Sequence, residues 1–524
     1  MGEMLKRILL ILLLFPGFCR AGARVIEIGS QADFDRLDFR IHTLIAQGEI
    51  DIVVRFAPGT FFFHENHLRL EGMERPDVSI VLQGNDTRLV GDCPVAAGPF
   101  DPHHGFVDLA TGRNLDYRME VRQAKGRPEA VDRNQGVYRF LTDESSLLES
   151  QADAAWIVLT QWFRGVLYKV VKIEKGYVYF QCDHPVSQEN AYYDLDGDYH
   201  FGKRYPRYIL YNGRMSLPKK GTVHECAASR FLLVSGSSFK RISVSGINFF
   251  GNGGGDSLFY LYRSSADGFD IRNCVFDSIR SDAVVAYFTK NLTFSDNELL
   301  HLYRNGVVVG FESDRAAIIG NRFCDVGLLL DNSACVRNQA SETRIADNTF
   351  VDFSYCAISS GIHYTETMSG KCTSLIEGNE IYQTDAFRKK PSRTLMDSGA
   401  IYVTTISQGQ VIRNNYIHDI DGPWDNRGIF LDDGAVGVEV YGNLILGVKN
   451  SYCIDARRVR WVETHPKTRI TRVNVNNYIG RNIVDGRVRY ETRGGRDGCR
   501  KRPNTVLAAG YDRDTEVARW RKRL

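Results

Sequence analysis

The sequence predicts an all-β chain wound into a right-handed parallel β-helix, with a capping helix at the N-terminus and an inserted antiparallel β domain. Three observations carry that expectation. A short phrase recurs from about residue 240 onward, and the runs between its copies are short and alternating, with no long amphipathic stretch among them. The composition, 48 Gly, 29 Phe and 25 Tyr but only 14 Pro, suits a turn-rich and strand-rich interior. With 43% hydrophobic and 25% charged residues in 524, a disordered or collagen-like chain is excluded.

The recurring unit is a strand, an Asn, one residue and an apolar position, with the Asn at 248, 273, 297, 321, 348, 379, 415, 443 and 477. A period of about 24 residues fits one coil of a solenoid whose coils stack about 4.8 Å apart. A side-chain amide at the same turn of every coil can hydrogen-bond its copies above and below while tolerating a left-handed backbone turn. The intervals ending at Asn379, Asn415 and Asn477 are longer, 31, 36 and 34 residues, so those coils carry loops.

Residues 1–23 read as a secretory signal peptide: Lys6 and Arg7, the apolar run Ile8 to Phe15, then Ala21-Gly22-Ala23. That apolar run is short of the roughly 20 residues that cross a bilayer, and no later segment is apolar for long enough. Residues 24–92 read as the N-terminal cap and first coils, with Ser30 and Asp33 opening an amphipathic helix through Phe34, Leu37, Ile41, Leu44 and Ile45. The runs Asp51–Phe56, Thr60–Phe63 and Val78–Leu82 follow as strands. Residues 93–226 break the pattern and read as the β insertion, with a hairpin from Val166 to Phe180 turning at Lys175-Gly176. Residues 227–485 are the solenoid with the functional face, and 486–524 a basic tail.

That tail holds twelve Lys or Arg against five Asp or Glu, while the chain as a whole is formally +3. Charge runs are usually solvated ends, and the near-neutral body carries no nucleic-acid footprint. The cysteines show no CxxC and no regular framework, so disulfides are permitted but not indicated, and Cys274, Cys356 and Cys453 sit in apolar runs as small hydrophobes. Asp194-Leu-Asp196-Gly-Asp198 reads as a turn, because Tyr205 stands where a calcium loop needs its bidentate Glu. No metal and no cofactor are expected, and the oligomeric state is left open.

Chemistry concentrates on two late coils, Met396-Asp397-Ser398-Gly399-Ala400-Ile401-Tyr402-Val403 and Gly428-Ile429-Phe430-Leu431-Asp432-Asp433-Gly434. Alternation turns Ile429 and Leu431 inward and Phe430 and Asp432 outward, with Tyr402 and Thr404 beside them on the previous coil. Glycosidic hydrolysis needs one carboxylic acid to protonate the leaving oxygen and one carboxylate to attack the anomeric carbon or activate water, about 5 to 10 Å apart. Asp397, Asp432 and Asp433 are therefore the candidate catalytic residues; the competing reading makes Asp-Asp-Gly an ordinary turn. Because Asp397 precedes the strand point matching Asp432 by several positions, the pair requires a bend at Ser398-Gly399; without it, Asp432 and Asp433 would work with Asp455 or Glu312. Tyr402 and Trp424 offer flat faces for a pyranose ring, or core packing. His418 and Asp419 are candidate substrate contacts, His418 also reading as a structural hydrogen-bonder. Arg427, Arg457 and Arg458 either clamp a uronate or neutralise the carboxylates. Asp455 is a further candidate contact.

The phrases Asp397-x-Gly-Ala-Ile-Tyr402 and Asn415-x-Ile-His418-Asp419, followed by Gly428-Ile-x-Leu-Asp432-Asp433-Gly434, resemble the β-helical glycoside hydrolases of family 141, which include α-L-fucosidases and xylanases. They are similar also to the β-xylosidases of family 120. The resemblance covers roughly residues 230 to 485 and is sharp over 396 to 443. It implies a catalytic pair made of Asp397 with Asp432 or Asp433, acting on an oligo- or polysaccharide of a plant cell wall or host. Two other functions stay open: a polysaccharide lyase, which needs a base and often calcium at a uronate, and a glycan-binding β-helix without turnover. Residues Ser398, where Gly is commoner, and the insertion Lys389 to Leu395 depart from the family pattern.

Overall fold

The computed structural model describes residues 22–92, 105–109, 113–114, 121–126, 128–132, 134–142, 155–161, 164–182, 207–212, 223–329, 332–362, 372–389, 394–404, 407–422, 426–432, 434–456, 461–465, 468–472, 476–490 and 500–524. The expected signal peptide, apart from Gly22 and Ala23, and the Asp194–Asp198 segment lie outside them.

Short strands of alternating character turn every second side chain into a common interior, and the chain winds as a right-handed parallel β-helix with three strands per coil. Two columns of strands, joined where Glu74–Gly91 and Ser238–Phe250 run through both, form a 23-stranded sheet. The third column is an 11-stranded parallel sheet that runs from Leu68–Glu71 to Val488–Tyr490. Aromatic rings stack from coil to coil inside, as in Phe249 on Phe276 at 5.2 Å and Phe323 on Phe350 at 4.9 Å.

At the turn between the first two columns the amide ladder forms as a chain of buried hydrogen bonds. Each Nδ2 donates to the Oδ1 of the next, from Asn297 through Asn321, Asn348, Asn379, Asn415, Asn443 and Asn482 to Asn504, at 2.9 to 3.1 Å. Three expected members fall elsewhere. Cys274, not Asn273, donates its backbone N–H to Asn297, which makes Asn273 the left-handed residue (φ 51°) before the ladder position. Asn248 pairs with Val275 and so lies one position after the ladder position. Asn477 serves a different corner, accepting from Val438, while Asn482 follows Asn443. The left-handed conformation belongs to the residue before each ladder Asn from Asn297 to Asn482, such as Asp296, Gly320 and Asp347.

The helices Gln31–Asp35 and Leu37–Ala46 plug the N-terminal end, the Ser30 hydroxyl capping the Asp33 N–H at 3.2 Å and Phe34 packing on Phe56 and Phe61. The coil before the insertion stacks directly on the coil after it: Leu68 pairs with Leu232, and the Glu65 carboxylate accepts from the backbone of Ser229 at 2.7 Å. The intervening residues include a seven-stranded antiparallel sheet with its own core of Phe140, Ile157, Leu159 and Phe180. The hairpin Arg164–Glu174 with Tyr177–Gln181 turns at Lys175 (φ 48°) and Gly176 (φ 87°).

At the other end, parallel pairing continues past the expected limit of 485: Arg500–Lys501 and Thr505–Val506 add further strands to the two columns. The tail then forms the helix Arg513–Arg521, which lays Trp520 against Tyr416, Leu444, Leu446 and Ile483. No helix among the described residues is long and apolar enough to cross a membrane.

Candidate functional site

The late coils of the third sheet stack in strict register. Ile358, Ile401, Ile429 and Ile454 form an inward ladder, and the outward positions beside it align Ser359, Tyr402, Phe430 and Asp455, with Thr404 next to Asp432. Register alone leaves Asp397 far from Asp432. It precedes Ser398, which pairs with Asn426, so seven positions separate the two carboxylates, about 23 Å along a straight strand.

Neighbouring coils approach closely there: a Cβ on Gly428 would meet the Cys453 carbonyl oxygen at 2.5 Å, and one on Gly399 would lie 3.0 Å from the Phe430 Cβ. Asp397, just before its strand, is left-handed (φ 55°). The Arg427 guanidinium lies 3.8 Å above the ring of Phe430.

A continuous set of contacts links the two acids. Arg427 donates to Asp397 Oδ1 at 3.1 Å and covers Phe430; Phe430 meets Tyr402 edge-on at 5.3 Å; and the Tyr402 hydroxyl donates to Asp432 Oδ2 at 3.2 Å. From the preceding coil, the Tyr355 hydroxyl donates to the Asp397 carbonyl at 3.3 Å, its ring 6.1 Å from that of Tyr402. Burial pushes the Tyr355 phenol well above its ordinary range, and the charges of Cys356, Asp397 and Asp432 push the same way. It is therefore a neutral donor within electrostatic reach of both carboxylates. Asp397 keeps 24% of its side chain exposed, and Asp432 is 4% exposed.

Arg427 and Asp455 take a different place from the one their sequence suggests. Both are fully buried, Arg427 Nε donating to Asp455 Oδ2 at 2.9 Å, and Arg489 closes on Asp455 from the next coil at 2.6 Å. They form a buried ion network behind Asp397, so neither side chain is presented to a sugar, and of the two readings of Arg427 its ion pairs fit neutralisation of the carboxylates and not the uronate clamp.

His418 and Asp419 do not join the carboxylates either. They lie on the second column, where His418 is sandwiched between Tyr382 and Tyr416 and its Nδ1 meets Asp419 at 2.7 Å. Burial works against the charge of Asp419, yet hydrogen bonds from His418 and Arg513, with their charges, hold its carboxyl well below the usual carboxylate range. Arg513 belongs to the C-terminal helix, so this cluster ties that helix to the solenoid.

Asp433, Trp424, Arg457 and Arg458 lie outside the described residues. Tyr355, Phe430 and Arg489 are the members of the cluster to which sequence reasoning assigned no role. Their signal was positional: Tyr355-Cys356 sits at the same coil offset as Ser398-Gly399 and Asn426-Arg427. Burial pushes the thiols of Cys274, Cys356 and Cys453 up to about 12, which leaves them inert. Among the described residues, no group of three or more His, Cys, Asp or Glu is placed to hold a metal ion.

The model of the right-handed beta helix region matches residues 257–457, the stretch that contains this cluster. No curated protein matches the chain. Among solved structures, a protein described as a glycoside hydrolase is similar at 14% identity and a TM-score of 0.54, over 94% of this chain and all of the other. XylC in complex with xylose is similar at 10% identity and a TM-score of 0.44, over 92% and 82%. PfbA, a surface adhesin of Streptococcus pneumoniae, is similar at 10% identity and a TM-score of 0.45, over 93% and 88%. At these identities the likeness to solved structures is one of fold, and with the match over 257–457 it shows the right-handed parallel β-helix.

Proposed function

We propose that the chain is a secreted glycoside hydrolase, related to family 141, in which Asp397 and Asp432 act as the catalytic pair on an oligo- or polysaccharide. The observation that supports this reading is the set of contacts that runs from Asp397 through Arg427, Phe430 and Tyr402 to Asp432, with both carboxylates in electrostatic reach of the Tyr355 phenol. The similar fold of a protein described as a glycoside hydrolase supports it.

The environments of the two acids differ in the direction the chemistry needs. Asp432, nearly buried, is suited to protonate the leaving oxygen as the bond to the anomeric carbon breaks. Asp397, more exposed and bonded by a guanidinium, is suited to act as the carboxylate that attacks that carbon or activates water. Tyr402 and Phe430, both buried, pack on each other beside the two acids.

The test is hydrolysis of xylan, pectic and fucosylated substrates by the wild type and by Asp432→Asn and Asp397→Asn. Each variant is expected to remain folded and to lose about 10²- to 10⁴-fold in rate. Full activity in both ends the assignment. An unsaturated uronate product indicates a lyase, and binding without turnover indicates a glycan binder.

A further inference from the structure

The basic tail does not trail into solvent; it folds back on the solenoid at the turn that carries the amide ladder. Gly442 and Arg481 occupy that turn on successive coils, both left-handed (φ 70° and 58°). The next coil places Pro503 beneath them, its carbonyl accepting from the Arg481 N–H at 3.0 Å. The Trp520 indole N–H donates to the Gly442 carbonyl at 2.8 Å. That bond plants the end of the helix Arg513–Arg521 one coil step from Arg481 and two from Pro503, about 10 Å at the usual strand spacing.

Cations from separate stretches of chain converge there. Arg481, Arg500, Lys501 and Arg502 are exposed on the last coils, and Arg519, Arg521, Lys522 and Arg523 are exposed on either side of Trp520. Glu439 lies 3.8 Å from Arg500, Glu516 pairs with Arg519, and Glu380 is in electrostatic reach of Arg521, so cations remain in excess. Asp514 and Glu516 in the first turn of the helix, with Arg519 and Arg521 in the last, complement its dipole. That accounts for neither Arg481 nor Arg502, which the winding of the coils brings beside them at a cost in like-charge repulsion that a facing anionic surface offsets. Beside the cations the strand Thr505–Val506 is exposed at both residues. Val506 pairs with the core residue Val484 and is nevertheless 65% exposed.

We propose that this basic turn is a docking surface for an anionic lipid bilayer, with the Lys and Arg side chains on the lipid phosphates and Val506 entering the headgroup boundary. A soluble polyanion satisfies the cations but leaves Val506 in water, whereas a charged interface over an apolar interior takes both. A second copy meeting this turn through its own sets like charges against each other. The attachment is peripheral, since no described helix is long and apolar enough to cross a membrane. The carboxylate pair belongs to the third column of strands, so the inference is independent of the proposed function.

The test is co-sedimentation of the full chain with vesicles of phosphatidylcholine, alone or with about 30% phosphatidylglycerol, at about 0.1 M and about 0.5 M salt. Two variants are compared with the wild type: Arg502→Glu combined with Lys522→Glu and Arg523→Glu, and Val506→Asp alone, with folding checked by circular dichroism. At low salt the wild type is expected to bind the anionic vesicles at least about tenfold more tightly than the neutral ones, and high salt to remove most of that difference. Charge reversal is expected to weaken binding by about tenfold or more, and Val506→Asp by about threefold. Equal binding to both vesicle types assigns the attachment to the apolar run Ile8 to Phe15 and overturns the proposal. Binding to anionic vesicles that is indifferent to charge reversal also overturns it. So does wild-type affinity in Val506→Asp, because charge alone then explains the attachment. Capture of soluble polygalacturonan without vesicle binding gives the surface to a polyanionic chain and overturns the bilayer.

Discussion

Arg427 holds Asp397 from the following coil at 3.1 Å while its Nε is committed to Asp455 at 2.9 Å, so one fully buried guanidinium joins the exposed carboxylate to a buried one. A planar fork with donors in several directions does this, and a point charge does not.

Removing that cation leaves Asp455 with Arg489 alone and frees Asp397. Arg427→Met is therefore expected to cost about 3–5 kcal/mol, the range for breaking a buried ion pair, with Arg427→Lys in between. Chemical denaturation measures it. Wild-type stability in Arg427→Met shows that the network carries no load.

The Tyr402 phenol donates to the nearly buried Asp432 at 3.2 Å. Tyr402→Phe removes that donor and is expected to cost about 1–3 kcal/mol of stability and to lower kcat/KM about tenfold where Asp432 takes part in the reaction. Chemical denaturation and steady-state kinetics measure the two effects; wild-type stability and rate in the variant show that the hydrogen bond serves neither.

The ladder predicts unequal asparagines. Asn348→Ala takes away the acceptor of the buried Asn321 backbone N–H and one acceptor of its Nδ2, both at 2.9 Å, leaving the Nδ2 the Phe294 carbonyl, for a loss of about 2–3 kcal/mol. Asn273→Gly, in an exposed left-handed position outside the ladder, should stay within about 0.5 kcal/mol. Equal losses in denaturant midpoint would contradict the ladder as the source of the difference.

His67 gives the N-terminal cap a pH dependence. It stacks on Phe34 at 4.0 Å; its Nδ1 accepts from the His64 N–H, and its Nε2 donates to the Phe34 carbonyl, the pattern of a neutral ring. Burial pushes it down to about 4, against about 6.5 in an unfolded chain. As pH falls the unfolded chain binds the proton first, so stability declines between 6.5 and 4, by up to about 3 kcal/mol. Denaturation of His67→Gln across that window should show a flatter profile; an unchanged slope assigns it to other groups.

The coil period was legible because each coil is built locally: short alternating strands and an Asn at a tight turn recur in the linear order. The register of individual copies was less so. Val-Asn-Asn477-Tyr-Ile has the same local form as Arg-Asn-Asn415-Tyr-Ile, yet the next rung is Asn482, since only stacking on Asn443 selects it. The parity that sets Thr404 beside Asp432 is likewise local, because alternation on a strand depends on nothing beyond that strand.

Burial and close approach between coils were decided elsewhere. Arg427 and Asp455 look like surface charges in the sequence, and they are buried because Arg489, 34 residues beyond Asp455, closes over them from the next coil. Position 428 admits only glycine because the Cys453 carbonyl of a later coil leaves no room for a side chain. The sequence by itself determined the solenoid and which residues face outward, both consequences of near-neighbour geometry. Which of those outward residues meet, and which are sealed from water, was decided by contacts between coils, where the covering group is remote in the chain and its position is set by packing.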